Sequence, residues 1–353
     1  MARLSRAQTQ QRNRARVLAA ARDEFAERGF RDARIDTIAE RAELTRGAVY
    51  SNFPGKRALY FAVLADLAEN AERAPQPQTG RNAEEALGAF ARAWVARLPA
   101  PGADLMSEVR ADERIRTPFT QLLKLDALLL SLALERLSPP EPAPGAPPAR
   151  LVRMAETVLI TLHGASRLAD AAPGFVEPFD VISACERLAG LALNDYWAPP
   201  AAVPPAHPAD EPWSPPNAID LVRERPARLD GDGVLVVLGL HRLTAAEEAA
   251  RLAPPGSPVT AVLVTGDPAE LGPLARLTLA ELGGCLRQAF PEPAWPDLQV
   301  VCDETGALAA AAGVPAVSDA TETAVRIRSG RITARAEGPA AAAALAVEEK
   351  VRR

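Results

Sequence analysis

The sequence has few cysteines and no long apolar run. Its three cysteines, Cys185, Cys285 and Cys302, lie far apart and form no C-x-x-C pair, which argues against a disulfide framework and against a zinc site. No apolar run reaches the roughly eighteen residues of a membrane span, and no signal segment is present. We therefore expect no membrane contact, no metal, no cofactor and a cytoplasmic location.

The charge is unevenly distributed along the chain. Residues 1–60 contain thirteen Lys and Arg residues against seven acids, a local charge of +6, although the whole chain carries −5. A basic end on an acidic protein is typical of nucleic-acid binding. With 353 residues, of which 48% are hydrophobic, the chain is long enough for two or three domains with sizeable cores.

Residues 34–56 have the pattern of two short helices joined by a tight turn. Four apolar residues of the first helix recur at helical spacing, namely Ile35, Ile38, Ala39 and Ala42. Thr45 is suited to cap the second helix, in which Val49 and Phe53 are the chief apolar positions. The other side chains are small or polar, so this helix can enter the DNA major groove, which is about 12 Å wide. The pattern predicts a helix-turn-helix with residues 45–53 as its recognition helix.

The recognition helix indicates which side chains contact DNA. We expect Arg46 to read base edges, with guanine as the favoured partner, because arginine makes bidentate hydrogen bonds there. Thr45, Gly47 and Ala48 are expected to touch base edges or methyl groups. We expect four residues to contact phosphates, namely Arg34, Tyr50, Asn52 and Lys56. Ser51 completes the polar face of the helix. Residues 1–8 read as a polar arm that is either disordered or places Arg3 and Arg6 on DNA.

This stretch resembles the tetracycline-repressor (TetR) family of bacterial regulators. The matching residues are Ile38-Ala39, Gly47-Ala48-Val49-Tyr50, Phe53, Lys56 and Leu59, preceded by Ala21, Phe25, Gly29 and Phe30. One departure is Arg34, which stands where the family usually has a capping Ser or Thr. The resemblance covers only the first sixty or so residues, and it implies a DNA-binding regulator that is not an enzyme.

Residues 63–197 read as all-helical, apart from a proline-rich loop at 138–148. The helix count is similar to the effector-binding and dimerisation domain of the TetR family. That resemblance implies a homodimer through helices at about 150–170 and 176–197. The candidate dimer-face residues are Met154, Val158, Leu162, Ala165 and Ala169 on the first helix, and Ile182, Cys185, Leu188, Ala189 and Leu193 on the second. A dimer would also let two recognition helices read a palindromic operator.

A small-molecule effector would bind between these helices. The candidate lining residues are Trp94, Met106, Phe119, Leu122 and His163. Each of them can equally be ordinary core, and the sequence does not identify the effector.

The carboxyl-terminal part has a different pattern. Residues 198–218 form a proline-rich linker, expected to be an extended spacer or a peptide that docks in an aromatic groove. Residues 219–353 then alternate strands and helices in the order βαβαβαββα. Thr244 and Glu247 suit a capping box at the first of these helices.

This part resembles the thioredoxin/peroxiredoxin fold, chiefly through Asp303–Val314 and the hairpin Val325–Ile332. The family's reactive cysteine would follow the first strand, at a helix N-terminus that stabilises a thiolate. Residues 239–248 contain no cysteine, and Glu322 begins the segment where the family has a cis-proline. We therefore expect a thioredoxin-like module without redox chemistry.

The sequence thus predicts a multi-domain regulator. A helix-turn-helix domain (1–62) precedes an all-α effector-binding and dimerisation domain (63–197), the linker (198–218) and an α/β thioredoxin-like domain (219–353). The function is predicted to be a ligand-responsive transcriptional repressor. Two alternatives remain open: a thiol oxidoreductase, and a regulator that senses oxidation through Cys285 or Cys302.

Overall fold

The amino-terminal half of the chain is helical. The computed structural model describes residues 5–71, 78–98, 102, 104–140, 149–254 and 256–352. The helices of the first half are α1 (Arg6–Asp32), α2 (Ile35–Arg41), α3 (Arg46–Asn52), α4 (Lys56–Glu69), α5 (Ala83–Val95), α6 (Leu105–Ala111), α7 (Glu113–Leu137), α8 (Val152–Ala171) and α9 (Pro178–Leu188). The predicted helical character is confirmed. The last helix is shorter than expected, because the chain leaves it to form a bridge between Ala149 and Tyr196.

The start of α1 differs from the prediction. Ser5 caps the helix by accepting a hydrogen bond from the Gln8 backbone, and the Gln8 side chain bonds back to Ser5, so the chain is helical from Arg6 onward. Arg3, the side chain of Arg6 and most of the proline-rich loop lie outside the described residues. Gly29 interrupts α1 with φ 70°, in the left-handed region that glycine adopts without strain.

The carboxyl-terminal half combines a mixed sheet with helices. Its elements are β1 (His207–Pro212), β2 (Ile219–Asp220), β3 (Arg225–Pro226), β4 (Gly233–Gly239), α10 (Ala245–Leu252), β5 (Val259–Val264), α11 (Leu271–Ala289), β6 (Leu298–Cys302), α12 (Ala307–Ala311), β7 (Glu322–Arg328), β8 (Arg331–Glu337) and α13 (Ala341–Arg352). The main sheet has the order β1-β8-β7-β4-β5-β6. Strands β4, β5 and β6 are parallel, and β7, β8 and β1 join antiparallel. From β4 onward the order of elements is the predicted one.

Part of the predicted linker belongs to this sheet. Strand β1 pairs with β8 as an edge strand, a place that tolerates Pro208 and Pro212 because one side of the strand needs no ladder partner. Trp213 follows, is 6% exposed, and donates its indole N–H to the Leu229 carbonyl at 2.7 Å. Residues 207–213 are therefore sheet and core rather than a free spacer.

The predicted capping box of α10 is wrong. Thr244 has helical backbone angles and makes no side-chain cap hydrogen bond. Its backbone N–H donates instead to the Gln121 side chain of α7 at 3.2 Å. The start of α10 is thus fixed by a neighbouring helix.

Helix α11 joins the two halves. It packs against α4, α5 and α7, and its buried residues lie on all its sides, including Leu271, Leu274, Leu277, Leu282, Cys285 and Leu286. A single hydrophobic core runs from the helical half through α11 to one face of the sheet, and a second, smaller core covers the other face. Ion pairs support the junction: Arg251 binds Glu135 at 3.0 Å and Arg150 binds Glu247 at 2.6 Å.

Helix α7 is long and apolar enough to cross a membrane by length and composition, and it alone passes that test in the part of the chain that the structure describes. Within its most apolar window, 67% is buried inside the protein. This degree of burial is typical of a helix in the core of a protein.

Candidate functional site

The helix-turn-helix is formed by α2 and α3. Thr45 caps α3 as predicted, because its hydroxyl accepts the Ala48 backbone N–H at 3.2 Å. Val49 and Phe53 are 1% and 2% exposed, so they fix α3 against the head. Arg34 precedes α2 without a side-chain cap. Its backbone N–H donates to the buried Glu24 carboxylate at 3.2 Å, which fixes the start of α2 although no side chain caps its first N–H groups.

The opposite face of α3 points to solvent. Its exposed residues are Thr45, Arg46, Gly47, Tyr50 and Ser51, and Ala48 and Asn52 are half-buried. A Cβ added at Gly47 would meet nothing nearer than the Thr45 hydroxyl at 3.9 Å. Packing within the chain therefore does not require glycine here, and its small size leaves room for close approach of a partner.

Arg46 is exposed but not isolated. Its guanidinium lies 3.2 Å from Asp36 Oδ1 and 5.6 Å from the centre of the Tyr50 ring. Both partners lie at the protein surface. The side chain is thus held over the exposed face of α3 by contacts that a base edge can replace.

The other predicted contacts already have partners within the head. Lys56 donates to the Arg31 carbonyl at 2.9 Å and lies 4.8 Å from the Phe30 ring centre. Asn52 and Ser51 both donate to the Ala48 carbonyl, at 2.8 and 2.9 Å. The Lys56 ammonium has three donors, so its bond to Arg31 does not exclude a phosphate contact.

Arg14 was not predicted from the sequence. Its guanidinium lies 4.4 Å from the Phe53 ring centre and donates to the Asn52 carbonyl at 3.3 Å, so it closes the carboxyl end of α3. Burial lowers the pKa of Arg14. The available signal was its position three residues before the buried Val17, on the inner face of α1.

A cavity of about 90 Å³, partly open to solvent, lies between the helical half and α11. Four of the five predicted effector residues line it, namely Trp94, Met106, Phe119 and His163. The fifth, Leu122, is fully buried and is not among the lining residues. The sequence did not reveal Asp126 of α7 or Thr278 and Glu281 of α11, which also line the cavity.

Two aromatic rings form one wall of this cavity. Trp94 and His163 meet edge to face, with ring centres 4.9 Å apart, and the indole N–H donates to Ser166 at 2.9 Å. Burial lowers the pKa of His163 to about 4. This wall is therefore apolar and uncharged at neutral pH.

The exposed apolar surface of α8 and α9 differs in part from the predicted one. Met154, Val158, Leu162, Ala165 and Cys185 are buried in the core of the same chain and cannot contact a second copy. The large exposed apolar residues are instead Ile160 (71%), Leu168 (45%), Phe175 (72%) and Phe179 (69%). Ile160 and Leu168 belong to α8, Phe179 belongs to α9, and Phe175 lies in the loop between them, in the region where the dimer contact was predicted.

The surroundings of the three cysteines disfavour the thiolate form. All three are free. Burial raises the pKa of Cys185 and Cys285 to about 11 and that of Cys302 to about 12. Cys302 borders a second cleft with Arg276 and Glu304. No group of three His, Cys, Asp or Glu side chains that could hold a metal occurs among the described residues.

Comparison with known proteins identifies the head. Residues 17–63 match the family described as bacterial regulatory proteins, tetR family. The HTH-type transcriptional regulator SrpR and the uncharacterized HTH-type transcriptional regulator TtgW, both from Pseudomonas putida, are each 45% identical over 65 residues, 18% of this chain. The chain spans 30% and 48% of the length of these two curated relatives. The amino-terminal part is thus a TetR-family helix-turn-helix domain.

One solved structure is similar at a lower level. A TetR transcriptional regulator from Rhodococcus sp. RHA1 matches with a TM-score of 0.33 and 16% identity, over 51% of this chain and 94% of that one. A similarity of this size carries no argument about the present chain.

Proposed function

We propose that this protein is a cytoplasmic transcriptional regulator, most simply a repressor, that binds a palindromic operator as a homodimer and releases it when an effector binds. The observation that carries the proposal is the exposed row on α3, in which Arg46 and its small neighbours project from a helix anchored by Val49 and Phe53. Sequence similarity to HTH-type transcriptional regulators over the same stretch supports it.

Two further features support the regulatory part of the proposal. The apolar surface around Ile160, Phe175 and Phe179 is of the kind that a second copy covers, and a pair of heads can read two half-sites about one DNA turn apart. The cavity beside Trp94 and Asp126 offers an effector site. The sheet order β6-β5-β4-β7-β8 supports a thioredoxin-like carboxyl-terminal module, which we propose serves binding and not catalysis.

The test is operator binding with a matched pair of arginine variants. Footprinting on the DNA that flanks the protein's own gene would locate the operator, and fluorescence anisotropy would measure affinity. Arg46→Ala is expected to cost about 1–3 kcal/mol and to relax discrimination against unrelated duplex. Arg22→Ala removes the same charge from the exposed side of α1 and should lose little. Equal effects of the two substitutions, or no preferred site, would refute the proposal.

A further inference from the structure

The cavity between the helical half and α11 contains two carboxylates from different parts of the chain. Asp126 comes from α7 and Glu281 from α11. Asp126 is only 4% exposed, and its Oδ1 atom has no hydrogen-bond partner within the described structure. An unpaired buried carboxylate is unfavourable, so its position at a cavity wall points to a partner that arrives from outside.

The cationic side chains of the cavity do not supply that partner. Arg97 donates to the backbone carbonyl of Glu281 at 3.1 Å, and Arg167 is also engaged within the chain. His163 is neutral at ordinary pH, because burial lowers its pKa to about 4. The lining also includes the polar Ser166, Asp170 and Thr278, and its apolar part contains the aromatic side chains Trp94 and Phe119. They suit the body of an apolar ligand and the face-on approach of a cation.

We propose that this cavity binds an organic cation with an apolar body, such as a protonated amine or a quaternary ammonium, whose charge is held by Asp126 and Glu281. The cation therefore lies at the seam between α7 and α11, in contact with both halves of the protein. The regulatory consequence of this inference rests on the proposed function, whereas binding of the cation can be measured without DNA.

The two carboxylates also link binding to protons. Burial, followed by the neighbouring Glu281, raises the pKa of Asp126 well above its usual range, and burial raises the pKa of Glu281 to about 7 against the opposing effect of Arg97. The free protein therefore holds protons here that a cation displaces. The other ionisable groups lining the cavity are Arg97, His163, Arg167 and Asp170. Affinity for the cation should rise as the pH increases through about 7 and should be weak at acidic pH.

Three ligands of similar shape and size but different charge test whether the cavity selects a cation. Phenylbutylammonium, phenylbutanol and phenylbutyrate share an apolar body, and calorimetry with the full chain would measure each. The cation should bind about tenfold or more tightly than the alcohol, and the anion should bind least. Calorimetry in buffers of different ionisation enthalpy should show proton release with the cation alone. If the alcohol or the anion binds as well as the cation, or if no proton is released, the proposal is wrong.

Substitutions of the two carboxylates test whether the cation binds at this cavity. Asp126→Asn and Glu281→Gln should each weaken phenylbutylammonium binding about tenfold or more, whereas Glu113→Gln, on the exposed first turn of α7, should leave it unchanged. Circular dichroism would establish folding; should a variant fail to fold, the three-ligand comparison on the unaltered chain still decides. Operator binding is measured separately. If the unaltered chain binds the cation but no operator, the proposed function is refuted and the cation site stands. If both variants bind the cation as tightly as the unaltered chain, this site is refuted and the proposed function stands.

Discussion

Arg46 contacts two groups of its own head in the absence of DNA. Its ion pair with Asp36 joins exposed side chains, and such pairs are weak because solvent screens them. Asp36→Asn should therefore tighten operator binding by about two- to fivefold, because the arginine no longer exchanges one partner for another. Fluorescence anisotropy at low salt would measure this change.

The control for that prediction is the double variant. Removing an acid from the head also favours any duplex through simple charge, so the same substitution in an Arg46→Ala background measures the general effect. The gain specific to the pair is the difference between the two. A gain of equal size in both backgrounds would show that Asp36 does not restrain Arg46.

The thiols give a second prediction for single residues. With pKa values of about 11 for Cys285 and about 12 for Cys302, almost no thiolate exists at neutral pH, and the thiolate is the reactive form. Peroxide should leave operator affinity unchanged, both in the native chain and in Cys285→Ser/Cys302→Ser. A peroxide response that the double substitution abolishes would favour the redox-sensing alternative.

At the scale of elements, sequence patterns predicted where helices form better than they predicted what each helix packs against. The cap and the buried side of α3 follow from local spacing, and both are confirmed for Thr45, Val49 and Phe53. The face of α8 was assigned wrongly because spacing identifies an apolar stripe without saying whether it meets its own core or a second copy. Asp126 was missed because charged residues are usually exposed, so nothing local indicates a carboxylate buried on α7.

The cap of α3 gives a prediction at this scale. Thr45→Ala removes the hydroxyl that accepts the Ala48 N–H and should cost about 1 kcal/mol of the head's stability. Thr45→Ser keeps the acceptor and should cost much less. Urea unfolding compares their stabilities, and anisotropy compares operator binding. Similar losses in both variants would assign the effect to the methyl group instead of the cap.

At the scale of the molecule, α11 makes the two halves interdependent. Helix α11 has buried apolar residues on all sides, as is typical of a helix inside a protein. The sequence shows this apolar pattern, but it does not show which elements pack around the helix. Because residues 198–218 looked like a spacer, α11 was assigned to an autonomous domain. In the structure it fills the space among α4, α5 and α7, next to the cavity wall that carries Glu281.

This arrangement predicts that damage to α11 spreads into the helical half. Leu274 is fully buried in the shared core, and Leu274→Ala should cost about 2–5 kcal/mol. Hydrogen exchange should then show lower protection of amides in both α5 and β5. The matched control is Leu308→Ala in α12, whose side chain lies in the smaller core on the other face of the sheet; it should loosen β5 and spare α5. If Leu274→Ala also spares α5, the halves are independent, and a ligand held at their seam could not alter the DNA-binding head through α4.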